Sequence, residues 1–373
     1  MIAFMAGIFL SPELWVSEGR FFPILKPFEV VPILNSPFDI VLISLFAVLC
    51  FVWIFYESRI VGLMTIGSLT VILLQDQMRW QPWVYLYVLM LLPYLIHSNN
   101  SANRRLIIVC LRWMIAGVYI WSGVHKWNLG FLDGTFAQMV KASGLNVDFQ
   151  TWKKAGYIIP FLEVSIGVAL LTPKLRKVGV YIAIITHIVI LFYLSLFVLE
   201  HNSVVYPWNI AMIVFVYLLF WDTDENLAMT FQEIRVNALL LIPVALIWLF
   251  PVLNLVGYWD HYLSFSLYSS KPSKFYIAIE KDEIHKIDKR FAHYFADMKG
   301  LRGGQLIDVD KWAFSELNVP FYPEKRLFKK LSVNFCDLGI DEDKLVFLEL
   351  FYTNSTLSNK FTCKELQPSL VEE

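Results

Sequence analysis

The sequence predicts a mostly α-helical, polytopic membrane bundle of about 8–9 spans followed by a small C-terminal extramembrane domain of α+β or β-rich character. Composition is the first observation. The 373 residues are 57% apolar, 16% aromatic and 17% charged, with a mean hydropathy of +0.56, whereas an ordinary soluble domain is about a quarter charged. Second, several stretches approach the roughly 20 apolar residues that cross a bilayer. Third, the composition turns charged and mixed after "YWDHYLSFSLYSSKPSK".

The expected spans run in order along the chain. Met1–Phe9 comes first; it is short and lacks a basic n-region or small-residue cleavage site, so it is not read as a signal peptide. Phe38–Phe55, Ile60–Leu74, Pro82–Ile96, Leu106–Val124, Ile158–Leu171, Val178–Leu199, Val204–Phe220 and Leu239–Leu255 follow. The boundary of the bundle is set at 1–257 and that of the extramembrane domain at 258–373. In that domain "KFYIAIE" and "KLVFLELFY" alternate as strands do. "PEKRLFKKL" reads as a helix with Pro323 at its first position.

The net charge of -1 and the lack of a basic tract exclude a nucleic-acid surface. No cysteine spacing suits a metal, so no metal ligands are expected. Cys50 and Cys110 fall in apolar segments, whereas Cys336 and Cys363 fall in the polar C-terminal part. That second pair can bridge if the domain lies in an oxidising compartment, with unpaired core thiols as the alternative. Arg59, Arg104, Arg105, Lys174, Arg176, Lys177 and Arg235 cluster next to span ends on one side, which the positive-inside rule places in the cytoplasm. Span parity then puts the connections 75–81, 125–157 and 200–203, together with everything after Leu255, on the outer side of a bacterial inner membrane.

Three outer corners are rich in polar and aromatic residues. "DQMRWQPWVYLY" holds Trp80, Gln81, Trp83 and Tyr87. "YIWSGVHKWNLGFLDG" places Tyr119, Ser122 and Lys126 on one helical face at i, i+3 and i+7, with His125 beside them. "EHNSVVYPWNIAM" holds His201, Trp208 and Asn209. An aromatic belt with snorkelling cations is one reading of these corners; an outward-facing ligand pocket is the other. Glu163 and His187 lie deeper, inside apolar runs, where an ionisable group is costly unless paired or lining a cavity. Glu163 enters the membrane from the connection that follows Lys126, so the two are expected to pair.

On the pattern "Y..SG..K.....L.G", with a polar-aromatic corner before it and another after it, the chain resembles the vitamin K-dependent γ-carboxylase-like (HTTM) membrane proteins over roughly residues 38–275. A weaker likeness links it to the redox-associated DoxX/MauE proteins. The first resemblance implies a reduced quinone as cofactor and Lys126 as the base that deprotonates it, since only a neutral amine is a base. The position matching a functional His of the carboxylases is Trp83, which cannot exchange a proton. A quinone- or lipid-handling reaction is therefore expected rather than carboxylation of peptide glutamate.

Two functions stand side by side. In the first, an enzyme uses Lys126, His125 and Glu163 as catalytic groups. Trp80, Gln81, Trp83, Tyr87, Tyr119, Ser122, His201, Trp208 and Asn209 then surround a quinone or membrane lipid. In the second, a non-catalytic membrane subunit or scaffold docks a periplasmic protein through its C-terminal domain. A transporter is the weakest reading, because no inverted repeat is visible.

Overall fold

The computed structural model describes all residues except 57, 97–100, 145–147, 198–201, 236, 300–302, 352–356 and 367–373. The described chain is mostly helical. We label the main helices α1 (Ile2–Leu10), α2 (Phe38–Phe55), α3 (Arg59–Gln75), α4 (Pro82–Leu91), α5 (Ser101–His125), α6 (Ile158–Leu171), α7 (Arg176–Phe197), α8 (Val205–Phe220), α9 (Leu227–Ile234) and α10 (Ala238–Trp248). Helices are what an apolar run adopts in lipid, because each backbone N–H then finds its acceptor within the segment.

Four helices are long and apolar enough to cross a membrane: Phe38–Phe55, Ala102–His125, Phe149–Leu171 and Arg176–Ser195. Four further expected spans are shorter apolar helices, at Arg59–Gln75, Pro82–Ile96, Val205–Phe220 and Ala238–Asn254. Proline accounts for part of the shortening. Pro93 falls where α4 gives way to the 3₁₀ turn Leu92–Ile96, and Pro243 lies inside α10, each removing one backbone donor. The nine residues of α1 rise only about 14 Å, too little to span.

Helix α5 is the hub. Its flank meets α6 at two glycines that admit no side chain. A Cβ on Gly123 would sit 2.7 Å from the Pro160 carbonyl oxygen, and one on Gly167 would sit 2.5 Å from Ile120 Cγ1 and 2.8 Å from the Ala116 carbonyl oxygen. Small residues at such points let two membrane helices approach backbone to backbone.

Five antiparallel strands follow: β1 (Lys274–Ile279), β2 (Phe295–Lys299), β3 (Gln305–Asp308), β4 (Leu345–Leu350) and β5 (Leu357–Phe361), in the order β2-β3-β1-β4-β5. Central β1 pairs Ile277 with Ile307 of β3 and with Phe347 of β4. The face carrying Phe275, Ile277 and Phe347 packs on α11 (Val309–Leu317) and α12 (Lys325–Cys336), with the Phe275 and Phe328 rings stacked 4.7 Å apart. Cys336, at the end of α12, is disulfide-bonded to Cys363 just after β5, with their Cα atoms 5.7 Å apart. Pro323 is not the first residue of α12. The helix starts at Lys325, because Glu324 stays extended as its N-cap and its carboxylate accepts from the backbone N and Nδ1 of His261 at 2.8 and 3.0 Å.

The hydrophobic core runs without a break from the bundle into this sheet-and-helix unit. Residues 11–37 lie between the two. Phe22 packs 4.5 Å from Trp312, Lys330 donates to Glu29 and to the Lys26 carbonyl, both at 2.9 Å, and Asn318 donates to the Leu10 carbonyl at 2.7 Å. On the bundle side Arg79 donates to the carbonyls of Leu14 and Trp15, both at 2.9 Å. Asp76 meets Arg20 at 2.6 Å in a fully buried pair.

Candidate functional site

The polar groups that the sequence singled out separate into distinct settings. The first is built on the close approach of α5 and α6. Because Gly123 lets α6 press against the end of α5, Glu163 stands opposite Lys126, one residue beyond that end. Lys126 Nζ donates to Glu163 Oε2 at 2.7 Å and Oε1 at 2.9 Å, and to Ser122 Oγ at 2.8 Å. Both side chains are withdrawn from solvent, at 6% and 14% exposure. An ammonium has three protons, and these contacts engage all of them.

A hydrogen-bonded chain lies one turn deeper, where Glu163 is close enough to act electrostatically on Tyr119 and His187. The Tyr119 hydroxyl lies 2.6 Å from His187 Nε2, and His187 Nδ1 lies 2.7 Å from Asn209 Oδ1. Asn209 Nδ2 donates to the Val205 carbonyl at 2.7 Å, which fixes the amide with its oxygen toward the imidazole. His187 therefore carries its proton on Nδ1, and Tyr119 donates to the bare Nε2. The chain has a single direction, from α5 through α7 to α8.

His125 faces elsewhere. Its ring is buried at 2% exposure and lies 5.6 Å from that of Trp121. Neither of its nitrogens has a hydrogen-bond partner among the described residues.

The aromatic corner forms a separate setting. Trp83, Tyr87 and Trp208 join a cluster with Phe4, Trp15 and Phe46, in which Phe4 of α1 lies 5.7 Å from Trp83 and 5.5 Å from Tyr87. Trp80 and Gln81 act as tethers: Trp80 Nε1 donates to the Leu73 carbonyl at 2.9 Å, and Gln81 Nε2 to the carbonyls of Met78 at 2.9 Å and Pro320 at 3.3 Å. His201 and the outer part of the 200–203 connection, like the expected span end at Leu199, lie outside the described residues. At the other end of α5, Arg104, Arg105 and Arg112 line an open cleft of about 570 Å³ with Asp222, Asp224 and Glu225. Arg105 and Arg112 both bond Glu225 at 2.8 Å, and this cleft is about 21 Å along the axis from Lys126.

One contributor escaped the sequence reading. Lys271, in "SSKPSK", stands near His125, and a Lys in a turn-rich stretch gives no periodic signal.

Residues 104–205 match the family model for methylamine utilisation protein MauE. No curated protein and no solved structure matches the chain. The MauE stretch runs from the second turn of α5 to the first residue of α8 and contains Tyr119, Ser122, Lys126, Glu163 and His187. Asn209 and the whole C-terminal sheet lie beyond it. The MauE likeness thus covers the polar cluster of an integral membrane protein, and it lends nothing to the carboxylase-like reading.

Proposed function

We propose that the chain is a non-catalytic membrane accessory protein whose bundle is pinned by the Lys126–Glu163 pair and whose extramembrane domain docks a protein partner. The observation that carries this reading is the saturation of Lys126: every ammonium proton already has an acceptor within the protein. A general base must instead offer its lone pair to a substrate. The MauE likeness supports a place in a methylamine-utilisation membrane system.

In this reading the bundle is residues 1–257 and the domain is residues 258–373, turned toward the periplasm from a bacterial inner membrane. Arg104, Arg105 and Arg176 at the opposite end support that orientation. The Cys336–Cys363 bond supports it too, since such bonds persist in oxidising compartments.

The competing reading keeps the likeness to the HTTM group, with Lys126 as base, a reduced quinone as cofactor and Trp83 and Tyr87 as pocket walls. It finds its support in Trp83 Nε1 and Tyr87 OH, buried polar atoms with no partner among the described residues. A mutant cycle separates the two. Lys126→Met strands the Glu163 carboxylate and should cost about 3–5 kcal/mol, whereas Lys126→Met with Glu163→Leu should recover most of the loss. Lys126→Arg should unfold close to wild type, because it still pairs with Glu163. Oxidation of a reduced quinone by wild-type membranes, abolished in a folded Lys126→Arg variant, would replace our reading with the enzyme.

A further inference from the structure

The end of α5 meets the loop 254–271 in a junction that the accessory role does not use. Asn128 bridges the two, donating to the His125 carbonyl at 2.8 Å and to the Ser269 carbonyl at 3.2 Å. Thr135 joins them again through Ser270 Oγ, 3.0 Å from its backbone nitrogen and 2.7 Å from its hydroxyl. The fit is close enough that a Cβ on Gly130 would sit 2.5 Å from the Ser270 carbonyl oxygen. These contacts bring Lys271 to the buried imidazole of His125, within reach of its field.

The groups gathered there are donors. Lys271 Nζ bonds the Asn254 side-chain oxygen at 2.8 Å and its carbonyl at 3.0 Å, both neutral acceptors. Among the described residues it has no carboxylate partner. Burial pushes its pKa below the ordinary lysine value, as expected of a cation without a counter-ion. His125 adds an imidazole with both nitrogens unpartnered, and Trp121, whose ring lies 5.6 Å from it, adds a buried indole N–H in the same condition. Buried polar groups are ordinarily satisfied, so the unpartnered nitrogens on and beside the His125 ring, with an uncompensated cation nearby, point to an acceptor-rich anion. The nearby acids are committed elsewhere: Glu324 to His261 at 3.0 Å, and Asp260 to Tyr322 at 2.7 Å and to Arg326.

The surroundings name the source. Trp127 and Leu129 on one side of the junction, and Leu255, Val256 and Tyr258 on the other, are exposed apolar side chains. A cation flanked by exposed apolar surface at the end of a membrane span stands at headgroup depth. We propose that this junction binds the phosphate of an anionic phospholipid, with Lys271 and His125 as its principal donors and the acyl chains along the apolar flanks.

The test uses the full chain, delipidated in a neutral detergent and probed with phosphatidylglycerol, phosphatidylcholine and inorganic phosphate. Bound lipid is read by native mass spectrometry and thermal unfolding. Phosphatidylglycerol should bind at one site and raise the melting temperature. Lys271→Gln should weaken its binding by about ten- to a hundredfold, and Lys271→Arg should restore most of it. Should Lys271→Gln fold poorly, His125→Phe carries the test, since it keeps a ring beside Trp121 and removes the donor. Equal binding of the two lipids, or no change in Lys271→Gln, overturns the proposal. Binding of inorganic phosphate without preference for the lipid overturns the headgroup assignment.

Discussion

Asn209 illustrates how much one amide decides. Because its nitrogen is committed to the Val205 carbonyl, its oxygen can only accept, and this propagates a fixed tautomer to His187 and a fixed hydroxyl direction to Tyr119. Tyr119→Phe deletes the donor and leaves His187 Nε2 buried without a partner. We expect a loss of about 1–3 kcal/mol, read by thermal unfolding in detergent. An unchanged melting temperature would show that the hydroxyl does not hold α5 to α7. At this scale the sequence was informative for Lys126 and Glu163, because two opposite charges at the facing ends of consecutive spans have few other partners. It singled out Tyr119 and His187 separately but was silent on their meeting. Their contact joins residues 68 apart, and it depends on how α5 and α7 rotate about their axes, which no hydropathy pattern records.

The α5–α6 contact is set by the absence of side chains as much as by their presence. At Gly167 a larger residue would meet both Ile120 and the Ala116 backbone of α5. Gly167→Ile should therefore part the two helices, break the Lys126–Glu163 pair and sharply reduce folded yield in detergent size-exclusion chromatography. Gly67 in α3 is the control, since a Cβ there meets nothing within 4 Å. Gly67→Ala should match or exceed wild type by up to about 1 kcal/mol. A folded, normally eluting Gly167→Ile variant would mean that the close approach is not required. Hydrophobic runs marked these helices well, because lipid selects apolar residues directly. Their lengths were less legible: Pro93 and Pro243 shorten or interrupt helices that composition alone would let continue.

Across the whole molecule, the connections at 75–81 and 125–136 and residue Ser203 all touch the C-terminal unit, through Gln81, Asn128, Thr135 and Ser203. Arg105, Arg112 and Arg176 gather around Glu225 and its neighbours at the other end. Single cysteines at exposed positions report on this arrangement. Lys141→Cys should be labelled by an impermeant thiol reagent from the outer side and Lys174→Cys only after permeabilisation, while Cys50 and Cys110 stay silent because they are buried. Labelling of both positions from one side would overturn the proposed topology. The strands of the C-terminal unit could be read from alternation in "KFYIAIE" and "KLVFLELFY". The seating of residues 11–37 could not. Asp76 and Arg79 stand in the polar-aromatic corner "DQMRWQPWVYLY", where nothing marks their partners, Leu14, Trp15 and Arg20, which come from a segment more than 50 residues earlier.

That seating has a consequence for biosynthesis. Leu10 and Asn318, which bond each other, are 308 residues apart, and Glu29 and Lys330 are 301 apart. At ~5–20 residues per second the ribosome needs roughly 15–60 s to deliver the second member of each pair. For most of that interval Phe21 and Phe22 have been made, but Trp312, against which both rings pack in the finished protein, has not. The early segment must wait at the membrane surface with its aromatic side chains uncovered, so maturation depends on whatever shelters them until the last third of the chain emerges.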